Sequence, residues 1–113
     1  MVNIDTKIDA DILTLIVVGE VDASSSINLD NAISKAINEG HKKILIDGKG
    51  MSYISSAGLG VFMSYLQDFD KNNIKMALYG LNEKVLNVFK ILGLDQLINI
   101  AESESEAKVL MND

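Results

Sequence analysis

Met51-Ser52-Tyr53-Ile54-Ser55-Ser56-Ala57-Gly58-Leu59-Gly60-Val61-Phe62-Met63 is where an extended chain gives way to a helix. Upstream, Lys43 to Asp47 reads as a strand. From Ala57 onward the apolar residues Leu59, Phe62, Met63, Leu66 and Phe69 recur at three- and four-residue steps, the spacing of one helical face. Ser55 and Ser56 therefore fall at a helix N-terminus. That end carries unpaired backbone N–H groups and about half a positive charge. A serine there either caps the helix with its own oxygen or holds a phosphate, and the spacing leaves both roles open.

Working outward, Val2, Ile4, Thr6 and Ile8 alternate with polar residues as in a half-buried strand. Ile12 to Val18 is a nearly unbroken apolar run suited to a strand covered on both faces. Only Asp9-Ala10-Asp11 separates the two, too little for a crossover, so the fold opens with an antiparallel hairpin. Gly19 to Asp22 ends the second strand. A helix with Leu29, Ala32, Ile33, Ala36 and Ile37 on one face then runs to Gly40, with Asp22 or one of Ser24 to Ser26 as its cap. Gly48-Lys49-Gly50 reads as a loop leading into the central junction, whose helix extends to about Asp70. After the turn at Asn72-Asn73 come a strand over Ile74 to Tyr79 and a helix capped by Asn82 and closed by Gly93. A brief strand over Leu97 to Ile100 follows, then a last helix opened by the capping box of Ser103 and Glu106.

The order predicts one α/β domain over residues 1–113: a mixed sheet, an opening hairpin followed by parallel strands, with helices packed on it. Sites in the parallel parts of such sheets lie beyond the carboxyl ends of the strands. One rim is expected to gather Glu20, Asp22, Asp47, Ser55 and Ser56.

Composition narrows the chemistry. With 48% apolar residues the chain has enough to bury a core, and no run approaches a membrane span. Without cysteine there is no disulfide, thiol nucleophile or thiolate metal site. A net charge of −6, with Lys42-Lys43 as the only adjacent basic residues, argues against nucleic acid. The expectation is a soluble, cytoplasmic monomer without metal or cofactor.

Catalytic readings fail on spacing. A serine nucleophile at Ser56 needs a nearby base, and the only histidine, His41, precedes the third strand whereas Ser56 follows it. Gly58-Leu59-Gly60 starts like a dinucleotide fingerprint, but Met63 stands where the third glycine is required. Gly48-Lys49-Gly50 lacks the remaining residues of a P-loop. A receiver domain with Asp47 as phospho-acceptor needs a crossover after its first strand, and this chain begins with a hairpin. Ala57, Gly58 and Gly60 instead allow close approach, of either the sheet beneath or an incoming partner. Val61 and Tyr65 fall off the core stripe, on the side a partner would use.

Tyr53-Ile54-Ser55-Ser56-Ala57-Gly58-Leu59-Gly60-Val61, together with Gly19-Glu20-Val21-Asp22 and the strand Ile44 to Asp47, resembles the STAS domain of bacterial anti-sigma factor antagonists over essentially the whole chain. In that pattern Ser56 matches the phospho-acceptor, Gly58 to Gly60 the tail, and Asp22 an acid near the acceptor. Ser55 stands in place of an acid and Ala57 in place of a second hydroxyl, which leaves Ser55 as a competing acceptor. The resemblance implies a binding module rather than an enzyme. Its partners would be an anti-sigma factor that is also a serine kinase and a serine phosphatase that resets the switch. The partner surface would draw on Glu20, Asp22, Ser55, Ser56, Ala57, Gly58, Gly60, Val61 and Tyr65. The alternative is a STAS scaffold of a transporter-associated or stress-signalling complex, with Ser56 as a plain cap.

Overall fold

The computed structural model describes residues 1–112. Five strands and four α-helices follow one another as β1 (Val2–Asp9), β2 (Ile12–Val21), α1 (Ser26–Asn38), β3 (Lys43–Ile54), α2 (Ser56–Lys71), β4 (Lys75–Tyr79), α3 (Glu83–Ile91), β5 (Asn99–Ala101) and α4 (Glu104–Leu110). A short 3₁₀ turn at Leu94–Gln96 joins α3 to β5. The sheet order is β1-β2-β3-β4-β5. β1 and β2 are antiparallel, and every later pairing is parallel. The opening hairpin and mixed sheet are those expected from the alternation and the short connection.

Residue parity along the strands splits the interior in two. Leu13, Leu15 and Val17 of β2, Ile44 and Ile46 of β3, and Met76 and Leu78 of β4 point to one face. There they meet Leu29, Ile33 and Ala36 of α1, Leu59, Phe62 and Phe69 of α2, and Val85 and Phe89 of α3. The opposite parity, Ile12, Leu45, Ala77 and Tyr79, faces Ala107 and Met111 of α4. Because α4 lies over β3, β4 and β5, the outer face of β1 and β2 stays uncovered, and Val18 is 48% exposed. The run Ile12 to Val18 is thus covered on both sides only at its start.

β3 departs from expectation. It does not stop at Asp47 but continues through Gly48-Lys49-Gly50 to Ile54, paired with β2 as far as Val21. Two bulges make this possible. Ile16 lies opposite Asp47 and Val18 opposite Gly50, while Gly19 lies opposite Met51 and Glu20 opposite Tyr53, so each shift adds one residue to β3. The bulges place both Met51 and Ile54 in the core. Glycines that read as a loop are places of close approach: a Cβ on Gly50 would lie 2.9 Å from a Val18 methyl, and one on Gly48 2.5 Å from Leu81.

Asp47 consequently leaves the rim. It sits on the α4 side, largely buried, where its carboxylate accepts the Lys49 backbone N–H at 3.0 Å and faces Tyr79. Burial first, and then Asp47, push the Tyr79 hydroxyl well above its ordinary range. Seven further residues of β3, roughly 20 Å of strand, separate Asp47 from Ser55.

Two local features generate tests. Ala10 turns the hairpin at φ +55°, a left-handed conformation that a Cβ disfavours. Ala10→Gly should raise stability in urea by about 0.5 kcal/mol, the relief of strain less the added freedom of the unfolded chain. In α2, a Cβ on Gly58 would come within 2.8 Å of both Ile54 and Val21, whereas one on Gly60 meets nothing within 4 Å. Gly58→Ala should lower stability by about 1–2 kcal/mol, and Gly60→Ala should raise it by up to about 1 kcal/mol through helix propensity. Thermal unfolding of both variants checks the contrast.

Candidate functional site

The carboxyl ends of β2 and β3 run on together past the end of β4 and hand the chain to α1 and α2. The ladder persists to the junction, where the Ser55 backbone N–H donates to the Val21 carbonyl at 2.8 Å. Ser55 is extended, at φ −88° and ψ 171°, and its hydroxyl accepts the Gly58 N–H at 3.2 Å. It is the helix cap. Ser56 is the first helical residue, exposed, and its hydroxyl makes no hydrogen bond among the described residues. Of the two adjacent serines, only Ser55 is used as the cap, and the Ser56 hydroxyl is left unengaged.

No acidic side chain lies in the first turn of α2, and the cap itself is neutral. The positive pole of this helix is therefore uncompensated by any charge of its own first turn. Ala57 is exposed beside Ser56, and Gly60 lies open one turn on, while Gly58 is buried under the helix. The small residues separate by face: Gly58 serves the sheet, and Ala57 and Gly60 leave a low, unobstructed surface next to the free hydroxyl.

Asp22 follows β2 on the same rim. Its carboxylate accepts hydrogen bonds from the Ser24 and Ser25 backbone N–H groups, at 3.1 and 2.9 Å, and from both hydroxyls, at 2.9 and 2.8 Å. Those bonds, Ser25 foremost and Ser24 next, hold the carboxyl down at about 2. Ser25, the residue before α1, makes no side-chain cap of its own, so Asp22 organises this turn. Glu20 is exposed. Together with Ser52, Tyr53, Ile54, Lys84 and Val88 it lines a groove of about 530 Å³ beside the junction. Tyr53, 50% exposed, and Lys84 escaped the sequence reading: the bulges decide which way Tyr53 faces, and α3 is brought alongside only by the fold.

Val61 and Tyr65 are not the free surface expected of them. Both are half-buried against the core. Tyr65 stacks on Phe69 with ring centroids 5.9 Å apart, and its hydroxyl donates to the Asp30 carboxylate of α1. Burial, then Asp30, push that hydroxyl up to about 12. Helical spacing puts Val61 and Tyr65 on the outer side of α2, but α1 packs on α2 and takes Tyr65, and Val61 lies against the core. His41 lies just before β3, a whole strand away from Ser56, with Glu39 3.8 Å from its ring. No group of three or more potential metal ligands occurs among the described residues.

Comparison with known proteins bears on this arrangement. The family model described as the STAS domain matches residues 3–107. An anti-sigma-B factor antagonist of Listeria monocytogenes is 31% identical over 99 residues, 87% of this chain and 86% of that protein. A crystal structure of an anti-sigma factor antagonist from Thermotoga maritima superposes with a TM-score of 0.90 at 25% identity, covering 97% of this chain and 95% of the other. The Bacillus cell fate determinant SpoIIAA, solved in its phosphorylated form, shares the fold with a TM-score of 0.69 at 20% identity, covering 96% and 97%. On the family match, the identity and the shared fold, the chain belongs to the STAS domain family, that of the anti-sigma factor antagonists.

Proposed function

We propose that this domain is an anti-sigma factor antagonist whose binding surface is centred on Ser56 and switched by phosphorylation there. The unmodified domain binds an anti-sigma factor that is also an ATP-dependent serine kinase, and so frees the sigma factor. Phosphate on Ser56 ends the association, and a serine phosphatase restores it. The domain acts in the cytoplasm as ligand and as substrate, not as catalyst. The observation carrying this reading is the division of labour at the junction: Ser55 is engaged as the cap, and Ser56 is exposed with an unengaged hydroxyl. This favours Ser56 over Ser55 as acceptor, because phosphorylating Ser55 would take away the helix cap.

The switch must act at the interface. A phosphoryl group adds about −1.5 to −2 charges, and the uncompensated N-terminus of α2 tolerates them, so the fold has no reason to open. Its effect falls on the partner, through crowding over Ala57 and Gly60 and through added negative charge beside Glu20 and Asp22. A hundred-fold loss of affinity needs only about 2.7 kcal/mol. Glu20, Asp22, Tyr53, Ser56, Ala57 and Gly60 form the partner surface in this reading. Gly58, Val61 and Tyr65 shape it from below and behind.

Ser56→Asp should weaken binding to the partner kinase at least about ten-fold in a titration, with a melting temperature within a few degrees of wild type. Unchanged affinity would reject the switch. Gly60→Leu should also weaken binding, while thermal unfolding shows the fold intact. With kinase and ATP, intact mass should show one added phosphate on wild type and none on Ser56→Ala. Ser55→Ala should still accept it, although lost capping costs about 1 kcal/mol of stability. A phosphate retained by Ser56→Ala would move the acceptor elsewhere.

A further inference from the structure

β1 is an edge strand, and its outward side is self-complementary. The Glu20 N–H donates to the Met1 carbonyl at 3.2 Å, which makes Met1 and Glu20 a hydrogen-bonded pair of the antiparallel ladder. Alternation along that ladder then directs the main-chain groups of Asn3, Asp5, Lys7 and Asp9 toward β2. Those of Val2, Ile4, Thr6 and Ile8 point away from the sheet. Asp5, Thr6, Lys7 and Ile8 are exposed, Ile8 to 66%. An open row of donors and acceptors is a template for another strand, and charges on an edge normally deter one.

Here the charges select a partner instead. A second copy of β1, running antiparallel and related by a two-fold axis at Thr6, aligns outward main-chain groups at Ile4 with Ile8′, Thr6 with Thr6′ and Ile8 with Ile4′. The intervening, closely spaced positions then set Asp5 opposite Lys7′ and Lys7 opposite Asp5′, two attractive pairs. The two neighbouring registers that keep the main-chain groups aligned are disfavoured. Centring on Asp5 sets Asp5 against Asp5′, and centring on Lys7 sets Lys7 against Lys7′ and Asp5 against Asp9′. The Thr6 register also covers exposed Ile8 with Ile4 of the other copy.

The geometry points to a weak, two-fold symmetric homodimer in which β1 pairs with β1′ across Thr6, joining two five-stranded sheets into one of ten strands. This association is independent of phosphorylation at Ser56. It replaces the monomer expected from sequence with a reversible equilibrium, because one short strand pair without a large apolar core lies at the weak end of specific interfaces.

Sedimentation equilibrium from micromolar to about 1 mM protein tests it. Wild type should show concentration-dependent dimerisation that weakens with added salt. Lys7→Asp and Asp5→Lys should each raise the dimer Kd by about ten-fold or more, since both symmetric pairs turn repulsive. The double variant Asp5→Lys/Lys7→Asp should return to near the wild-type Kd. Both substitutions are at exposed positions, and unchanged melting temperatures would verify the fold. Amide exchange at Ile4, Thr6 and Ile8 should slow as wild-type concentration rises. A wild type monomeric up to about 1 mM, a double variant no better than either single one, or a dimer that leaves those three amides unprotected would overturn the proposal.

Discussion

The parallel pairing of β2 with β3 is the interaction on which the rest of this molecule depends. Both strands outrun their neighbours: β4 pairs with β3 only from Lys43 to Asp47, whereas β2 stays with β3 to Ile54. The extension is held by backbone hydrogen bonds up to Ser55 and by Met51, Ile54 and Val21 in the core. Without it, α2 would start near the level of Tyr79 and its first residues would be flanked by other elements. With it, the start of α2 stands at a projecting end of the sheet, beside Glu20 of the neighbouring strand and Asp22 just after it.

Two bulges serve this projection. A regular pairing would alternate faces with period two, and the extra residues re-set which side chains turn inward. Met51 and Ile54 reach the core, and Tyr53 is left half exposed over the groove that includes Lys84. The glycines at 48, 50 and 58 share one cause: in each case a Cβ would collide with a side chain packed above the backbone. Their density around the junction reflects close packing, which leaves Gly60 as the one glycine of the stretch that packing within the chain does not require.

The polar groups around the Ser56 hydroxyl are spent on turns: Ser55 caps α2, and Asp22 accepts from two N–H groups and two hydroxyls. The Ser56 hydroxyl is left exposed and unengaged at this junction, so chemistry on it would change the charge and shape of the surface without breaking a cap or a turn.

Local signals were sufficient for much of this. The hairpin at Asp9-Ala10-Asp11, the caps at Asn82 and Ser103, and the helical face of Leu59, Phe62 and Phe69 depend on neighbours within a few residues, and all were legible in the amino-acid order. So was the placement of Ser55 and Ser56 at a helix start; which of the two caps α2 was not. What remained hidden depends on partners distant in the chain. The continuation of β3 through Gly48-Lys49-Gly50, which reads as a loop, rests on Val18 and Leu81 packing over Gly50 and Gly48. The removal of Asp47 from the rim follows from that continuation, the loss of Tyr65 from the surface follows from α1 docking on α2, and Tyr53 faces the groove because of the bulges. Propensity and periodicity describe a segment in isolation; which of its faces is covered is decided only when the other segments arrive.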